Sequence, residues 1–148
     1  VNRLAETGIP VVTPPGGLAC HLDAMKFLPH VPQSQYPAGA LSAALYLASG
    51  IRSMERGTIS MDRDKQGKEV PADIELTRIA LPRRVYTISH IEYAIDRIDW
   101  LYKHRKLVKG LKFTYEPPVL RFFDGRLEAI DNWGKDLAEA FKHELGDY

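Results

Sequence analysis

The 148-residue sequence has one cysteine, Cys20, so no disulfide can form within the chain. That usage suits a reducing compartment, and a cytoplasmic location is expected. No apolar run approaches the ~20 residues that a membrane-spanning helix needs, so no membrane partner is expected. Charge of one sign is lacking too. The 20 Lys and Arg balance 19 Asp and Glu, for a formal net charge of +1. This gives no general pull on nucleic acid. The one basic stretch, Lys103 to Lys112, has no aromatic platform interleaved with it and reads as a solvated helix end. There is no internal repeat and no low-complexity tract. The histidines at 21, 30, 90, 104 and 143 show no metal-ligand spacing. Cys20 and His21 would point to opposite faces of a strand, and no metal site is expected.

What is present describes one ordinary globular domain. The chain is 45% hydrophobic and 26% charged, and long enough to bury a core. Gly8 closes a short N-terminal helix tail. Leu18 to Leu22 reads as a strand, followed by a short helix to Phe27 that Asp23 can cap. Pro37 suits the first position of a helix to Ser49, with Gly50 past its end. That helix is apolar nearly all round, so burial on several sides is expected. Ile51 to Met61 reads as a strand, 62–73 as a polar loop and Ile74 to Leu81 as a strand. Ser89 to Arg105 is a helix with a Ser89/Glu92 capping box and an apolar stripe. Leu111, Phe113 and Tyr115 alternate as a strand. Val119 to Phe123 reads as another, and Arg126 to Ile130 as an extension after the Asp124-Gly125 turn. Residues 131–148 form an amphipathic helix, with Trp133, Leu137, Phe141 and Leu145 on one face. It is expected to pack on the sheet or on a second copy. The fold class is α/β in the α+β sense: a small, mostly antiparallel sheet covered by helices on one side.

Two arginines stand out. Arg56 and Arg78 lie in separate predicted strands, where an arginine is costly to bury unless it meets an anion. A guanidinium fork grips a carboxylate through two parallel hydrogen bonds, so the pair suits an acidic ligand such as an amino acid. The competing reading is a structural ion pair with Glu55 or Glu75. Adjacent strand residues point to opposite faces, which makes Glu55 the poorer partner of Arg56.

Six motifs occur in order: Gly16-Gly17, Phe27-Leu28-Pro29-His30, Gly50 to Gly57 (GIRSMERG), Leu81 to Thr87 (LPRRVYT), Phe113 to Pro117 (FTYEP) and Leu120 to Phe123 (LRFF). Together they resemble the C-terminal part of the pyridoxal-phosphate-dependent β-eliminating lyases, the family of tyrosine phenol-lyase and tryptophanase. The resemblance runs from about Gly8 to about Ile130. Arg56 and the Phe122-Phe123 pair are similar to the phenol-lyase branch. The family often has a histidine where Leu18 stands here.

The resemblance implies the small domain of the aspartate-aminotransferase-like fold over residues 1–130, with 131–148 as an additional helix. It implies that Arg78 binds the substrate carboxylate and that Arg56 faces the phenol ring and its hydroxyl. Phe122 and Phe123 would wall the aromatic pocket; on a regular strand one would face the core and one the pocket. The parent reaction would split L-tyrosine into phenol, pyruvate and ammonia. In the full enzyme, pyridoxal phosphate and a monovalent cation would be held by a large domain, and the enzyme would be a homo-oligomer. No lysine here lies in the family's Schiff-base motif, so this chain is expected to contain no catalytic or cofactor-binding residue and to be inactive alone. Val1 reads as the start of a piece of a longer enzyme or of a shortened gene product. The alternative is a stand-alone, self-associating, non-catalytic module, motivated by the added helix.

Overall fold

In a computed structural model, which describes residues 1–146, the elements follow in this order: α1 (Asn2–Glu6), β1 (Ala19–Asp23), α2 (Ala24–Phe27), α3 (Pro37–Ser49), β2 (Met54–Arg56), β3 (Leu76–Ala80), α4 (Ile88–Lys103), β4 (Leu111–Tyr115), α5 (Arg121–Asp124), β5 (Arg126–Ala129) and α6 (Trp133–Leu145). The strands form two antiparallel sheets, one with the order β1-β3-β2 and one pairing β4 with β5. This is the α+β arrangement that the sequence predicts. No helix among the described residues is long and apolar enough to cross a membrane.

The three-stranded sheet is two-faced because strand side chains alternate. Cys20, Leu22, Thr77, Ile79 and Glu55 point to one side and are buried. That side is covered by α3, whose Ala38, Leu41, Ala44 and Leu45 are fully buried. Small side chains on α3 let it approach closely; the Thr77 hydroxyl donates to the Ala38 carbonyl at 3.0 Å. Gly50 ends α3 in the left-handed conformation, φ +69°, that glycine adopts at little cost. Asp23 caps α2 by accepting the Lys26 amide at 3.1 Å.

The opposite side of α3 is covered as well, which is why it is apolar all round. Helices α4 and α6 pack there. Trp133, Leu137 and Phe141 of α6 are buried, and the Trp133 indole donates to the Gly110 carbonyl at 3.0 Å. Trp100 meets the Phe141 ring edge-on and stacks on His104. Glu144 accepts from the Trp100 indole at 2.9 Å and pairs with His104 at 2.8 Å. So α6 completes the helical layer over α3, where packing on the sheet was one expectation. Only Leu145 of its stripe, 40% exposed, stays in solvent. Asp147 and Tyr148, the end of the expected 131–148 helix, lie outside the described residues.

Three local readings are corrected. The strand expected over 51–61 is only β2. Its Glu55 carboxyl accepts the Ile59 amide and the Ser60 hydroxyl, at 3.2 and 2.6 Å, and this turns the chain into a 3-10 turn, Thr58–Ser60. The 119–123 segment is helical at α5, entered through Leu120 at φ +57°. The capping box of α4 is made by Thr87 and His90, and Ser89 lies inside the helix.

Candidate functional site

The second face of the sheet is open. Register places Met54 opposite Arg78 and Arg56 opposite Leu76, so the two arginines are diagonal neighbours on the same face. Such neighbours sit roughly 7–8 Å apart, within reach of long side chains. His21 lies opposite Arg78 on the other side, also on the open face. Arg78 is half-buried and Arg56 exposed. Arg78 and His21, with Gly16, Gly17 and Leu18, line a cavity of about 350 Å³.

Neither arginine forms an ion pair among the described residues; the Arg78 guanidinium has only the Met54 sulfur at 3.9 Å. The expected acidic partners are spent elsewhere, which corrects the ion-pair reading. Glu75 is 1% exposed and faces the interior. It accepts the Thr58 amide at 2.9 Å, the Thr58 hydroxyl at 2.5 Å and the Ala38 amide at 3.3 Å. Glu55 is buried on the same covered side. Burial raises its pKa, and the nearby Glu75 adds to this against the Ser60 and Ile59 hydrogen bonds. One carboxylate, Asp23, does lie on the open face, across Leu76 from Arg56, but it pairs with Lys26 at 2.9 Å and caps α2, so neither arginine has an ion-pair partner among the described residues.

Phe122 and Phe123 sit in the single turn of α5, not in a strand. Phe122 is half-buried against the core and Phe123 is 74% exposed, their rings edge-to-face at 5.1 Å. One therefore contacts the core and one is presented outward, although the backbone is helical. Neither ring contacts Arg56 or Arg78 among the described residues.

The residue that fixes this turn, Arg121, carries no signal in the sequence beyond its place in the LRFF motif. It is 1% exposed. It donates to Glu116 at 2.8 Å, to Glu69, and to the Thr58 carbonyl at 2.5 Å, two residues past Arg56. Arg63 grips Glu116 through two bonds of 2.8 and 2.9 Å and also reaches Glu69 at 3.4 Å. The Tyr36 hydroxyl donates to Glu69 at 2.9 Å. Arg63 and then Arg121 hold Glu116 below the usual carboxylate range. Burial would raise Glu69, but the bonds from Arg121 and Tyr36 prevail and lower it. Burial, reinforced by the bond to Glu69, pushes the Tyr36 phenol up to about 12. Gly125 follows α5 where a Cβ would meet the Arg121 carbonyl at 2.4 Å and the Phe113 ring at 2.6 Å, so a larger residue would displace the turn.

Among the described residues, the open face offers two guanidinium groups without an ion-pair partner. Every lysine is exposed and none lines the cavity at Arg78. In the basic stretch, Lys103, Lys109 and Lys112 are paired with Asp99, Asp131 and Glu128.

No family model matches the chain. Curated relatives do: the chain is homologous to a part of the β-eliminating lyases, as its ordered motifs imply. The particular relatives are tyrosine phenol-lyases. The chain is 50% identical to that of Pasteurella multocida over 128 residues, 86% of this chain and 28% of the relative. It is 47% identical to that of Clostridium tetani over 131 residues, 88% of this chain and 28% of the relative. With that of Nostoc punctiforme it shares 47% over 128 residues, 86% and 27% of the two lengths. The chain thus spans little more than a quarter of the length of these relatives.

Proposed function

We propose that residues 1–130 are the small domain of a β-eliminating lyase that acts on L-tyrosine or a related aromatic amino acid, releasing phenol, pyruvate and ammonia. The observation that carries this reading is the pair Arg56 and Arg78 on one open sheet face, with Glu55 and Glu75 turned inward and Asp23 paired with Lys26. Arg78 anchors the substrate carboxylate. Its planar fork restricts rotation about the Cα–carboxylate bond, so the Cα–H is held in one orientation, which a lysine point charge would do less well. Arg56, one diagonal step away, faces the aromatic end. A guanidinium beside the phenol oxygen stabilises charge that develops as the ring departs. Phe122 and Phe123 wall that end and exclude water.

A large domain supplies the Schiff-base lysine, pyridoxal phosphate and a monovalent cation; the cofactor provides the electron sink for Cα deprotonation. The enzyme is cytoplasmic and a homo-oligomer, and the segment that bears α6 is an addition to the domain. This chain alone contributes binding and orientation, and no lyase activity is expected from it. The stand-alone-module alternative drew on the apolar stripe of α6, and most of that stripe is consumed within the chain.

The test is kinetic, in the complete enzyme. Arg78→Ala should lower kcat/KM by about 100-fold on every amino-acid substrate, the worth of a charge-assisted bidentate pair of roughly 2–3 kcal/mol. Arg56→Ala should damage elimination from tyrosine far more than from S-alkyl cysteines, which carry good leaving groups. Equal losses of Arg56→Ala on both substrate types would reject the phenol assignment. Unchanged kinetics of Arg78→Ala would reject the carboxylate anchor.

A further inference from the structure

Arg121 is the most deeply buried cation of the chain, yet it heads a helix of four residues. Its guanidinium meets groups from three separate segments. Glu69 lies in the 62–73 loop, Glu116 follows β4, and the Thr58 carbonyl belongs to the 3-10 turn directly after Arg56-Gly57. Its guanidinium also lies over the Phe113 ring at 5.4 Å. A buried guanidinium is tolerable only where such partners surround it. Four charges, Arg63, Arg121, Glu69 and Glu116, cancel within the cluster.

Beside Arg121, Phe122 packs against the core while its neighbours are open. Val119 and Leu120 are 61% and 58% exposed, as Phe123 is on the far side. The Arg121 amide reaches only the Asp62 carboxyl, at 3.4 Å. The side chain of Arg121, together with the packing of Phe122, thus fixes where the Phe122-Phe123 turn sits. Its bond to the Thr58 carbonyl ties that turn to the end of β2 that bears Arg56.

We propose that Arg121 is the positioning residue that sets the Phe122-Phe123 wall against the Arg56 end of the open sheet face, and through it determines acceptance of an aromatic leaving group. This rests on the reading of the open face as the substrate site. Arg121 itself touches no substrate. Its two terminal nitrogens must reach three acceptors in different directions at once. A planar fork does that and an ammonium does not, so a lysine keeps the charge and loses the register. A displacement of about 1 Å in a group that orients a reacting substrate costs on the order of 100-fold in rate.

The experiment uses Arg121→Lys and Glu116→Gln, which keep much of the local volume, in two settings. In the present chain, amide hydrogen exchange should quicken at least ~10-fold over residues 120–125 and 58–61, while β3 and α3 stay within about twofold of the parent. In the complete enzyme, kcat/KM for tyrosine should fall on the order of 100-fold, with S-alkyl cysteine kept within about threefold. Equal loss on both substrates, uniformly faster exchange across the chain, or a loosened 120–125 turn with tyrosine kinetics intact would each overturn the proposal. Arg78→Ala, measured alongside, separates the two failures. If it leaves both substrates unaffected, the site reading fails and the proposal with it. If it slows both while Arg121→Lys shows no tyrosine-selective loss, the proposal alone fails.

Discussion

Replacing Glu75 by leucine should destabilise the domain by about 3 kcal/mol. Helix α3 begins at Pro37, which has no amide proton, and its N-cap Tyr36 offers no side-chain acceptor. The buried Ala38 amide is therefore satisfied from outside the helix, by Glu75 at 3.3 Å. An acidic group there also suits the positive end of the helix dipole. The second oxygen of the same carboxyl takes the buried Thr58 amide at 2.9 Å. Leucine would strand both amides, at about 2 kcal/mol each. Gln33 would keep the Ala72 carbonyl at 2.7 Å, so its loss is small. The added apolar burial returns about 1–2 kcal/mol. The remainder, near 3 kcal/mol, corresponds to a Tm lowered by about 10 °C for a domain of this size. Thermal unfolding followed by circular dichroism measures it, with Arg78→Ala and Arg56→Ala run beside it. Those two should melt within about 2 °C of the parent, as expected for side chains with no ion-pair partner to lose. A Glu75→Leu chain that melts like the parent would refute the capping argument. Arginine variants that melt as low as Glu75→Leu would restore the structural ion pair.

Two further outcomes follow from the packing and the charges. Burial raises the Glu55 pKa, so its contribution to stability is full below the unfolded-state value and is lost as pH rises through the folded one. Glu55→Gln, which can keep the Ile59 and Ser60 bonds, should match the parent in acid and exceed it at neutral pH; urea midpoints that differ in the opposite sense would contradict this. Leu137→Ala empties a fully buried site between α6 and its neighbours and should cost about 3 kcal/mol; an unchanged midpoint would show that α6 is a dispensable tail.

Short-range chemistry was legible in the residues alone. The bounds of α3 follow from Pro37 and Gly50, and the α2 cap from Asp23, because capping and φ preferences act over a few positions. The β4 strand followed from the alternation of Leu111, Phe113 and Tyr115, and β5 from the extension read after Asp124-Gly125. The arginine pair and the phenylalanine pair were legible through their motifs. What lay beyond reach depended on groups far apart in the chain. Alternation could not say that Arg56 and Arg78 share a face, because that depends on the register between β2 and β3. Nor could it say that Glu55 and Glu75 turn inward, because their partners come from α3 and from the Thr58 turn. The Val119 to Phe123 run has strand propensity, yet it forms a helical turn. Arg121 there reaches Glu69 across 52 residues and Thr58 across 63, and those bonds outweigh local preference. Propensity is a sum over neighbours in sequence, while the satisfaction of a buried charge is decided by neighbours in space.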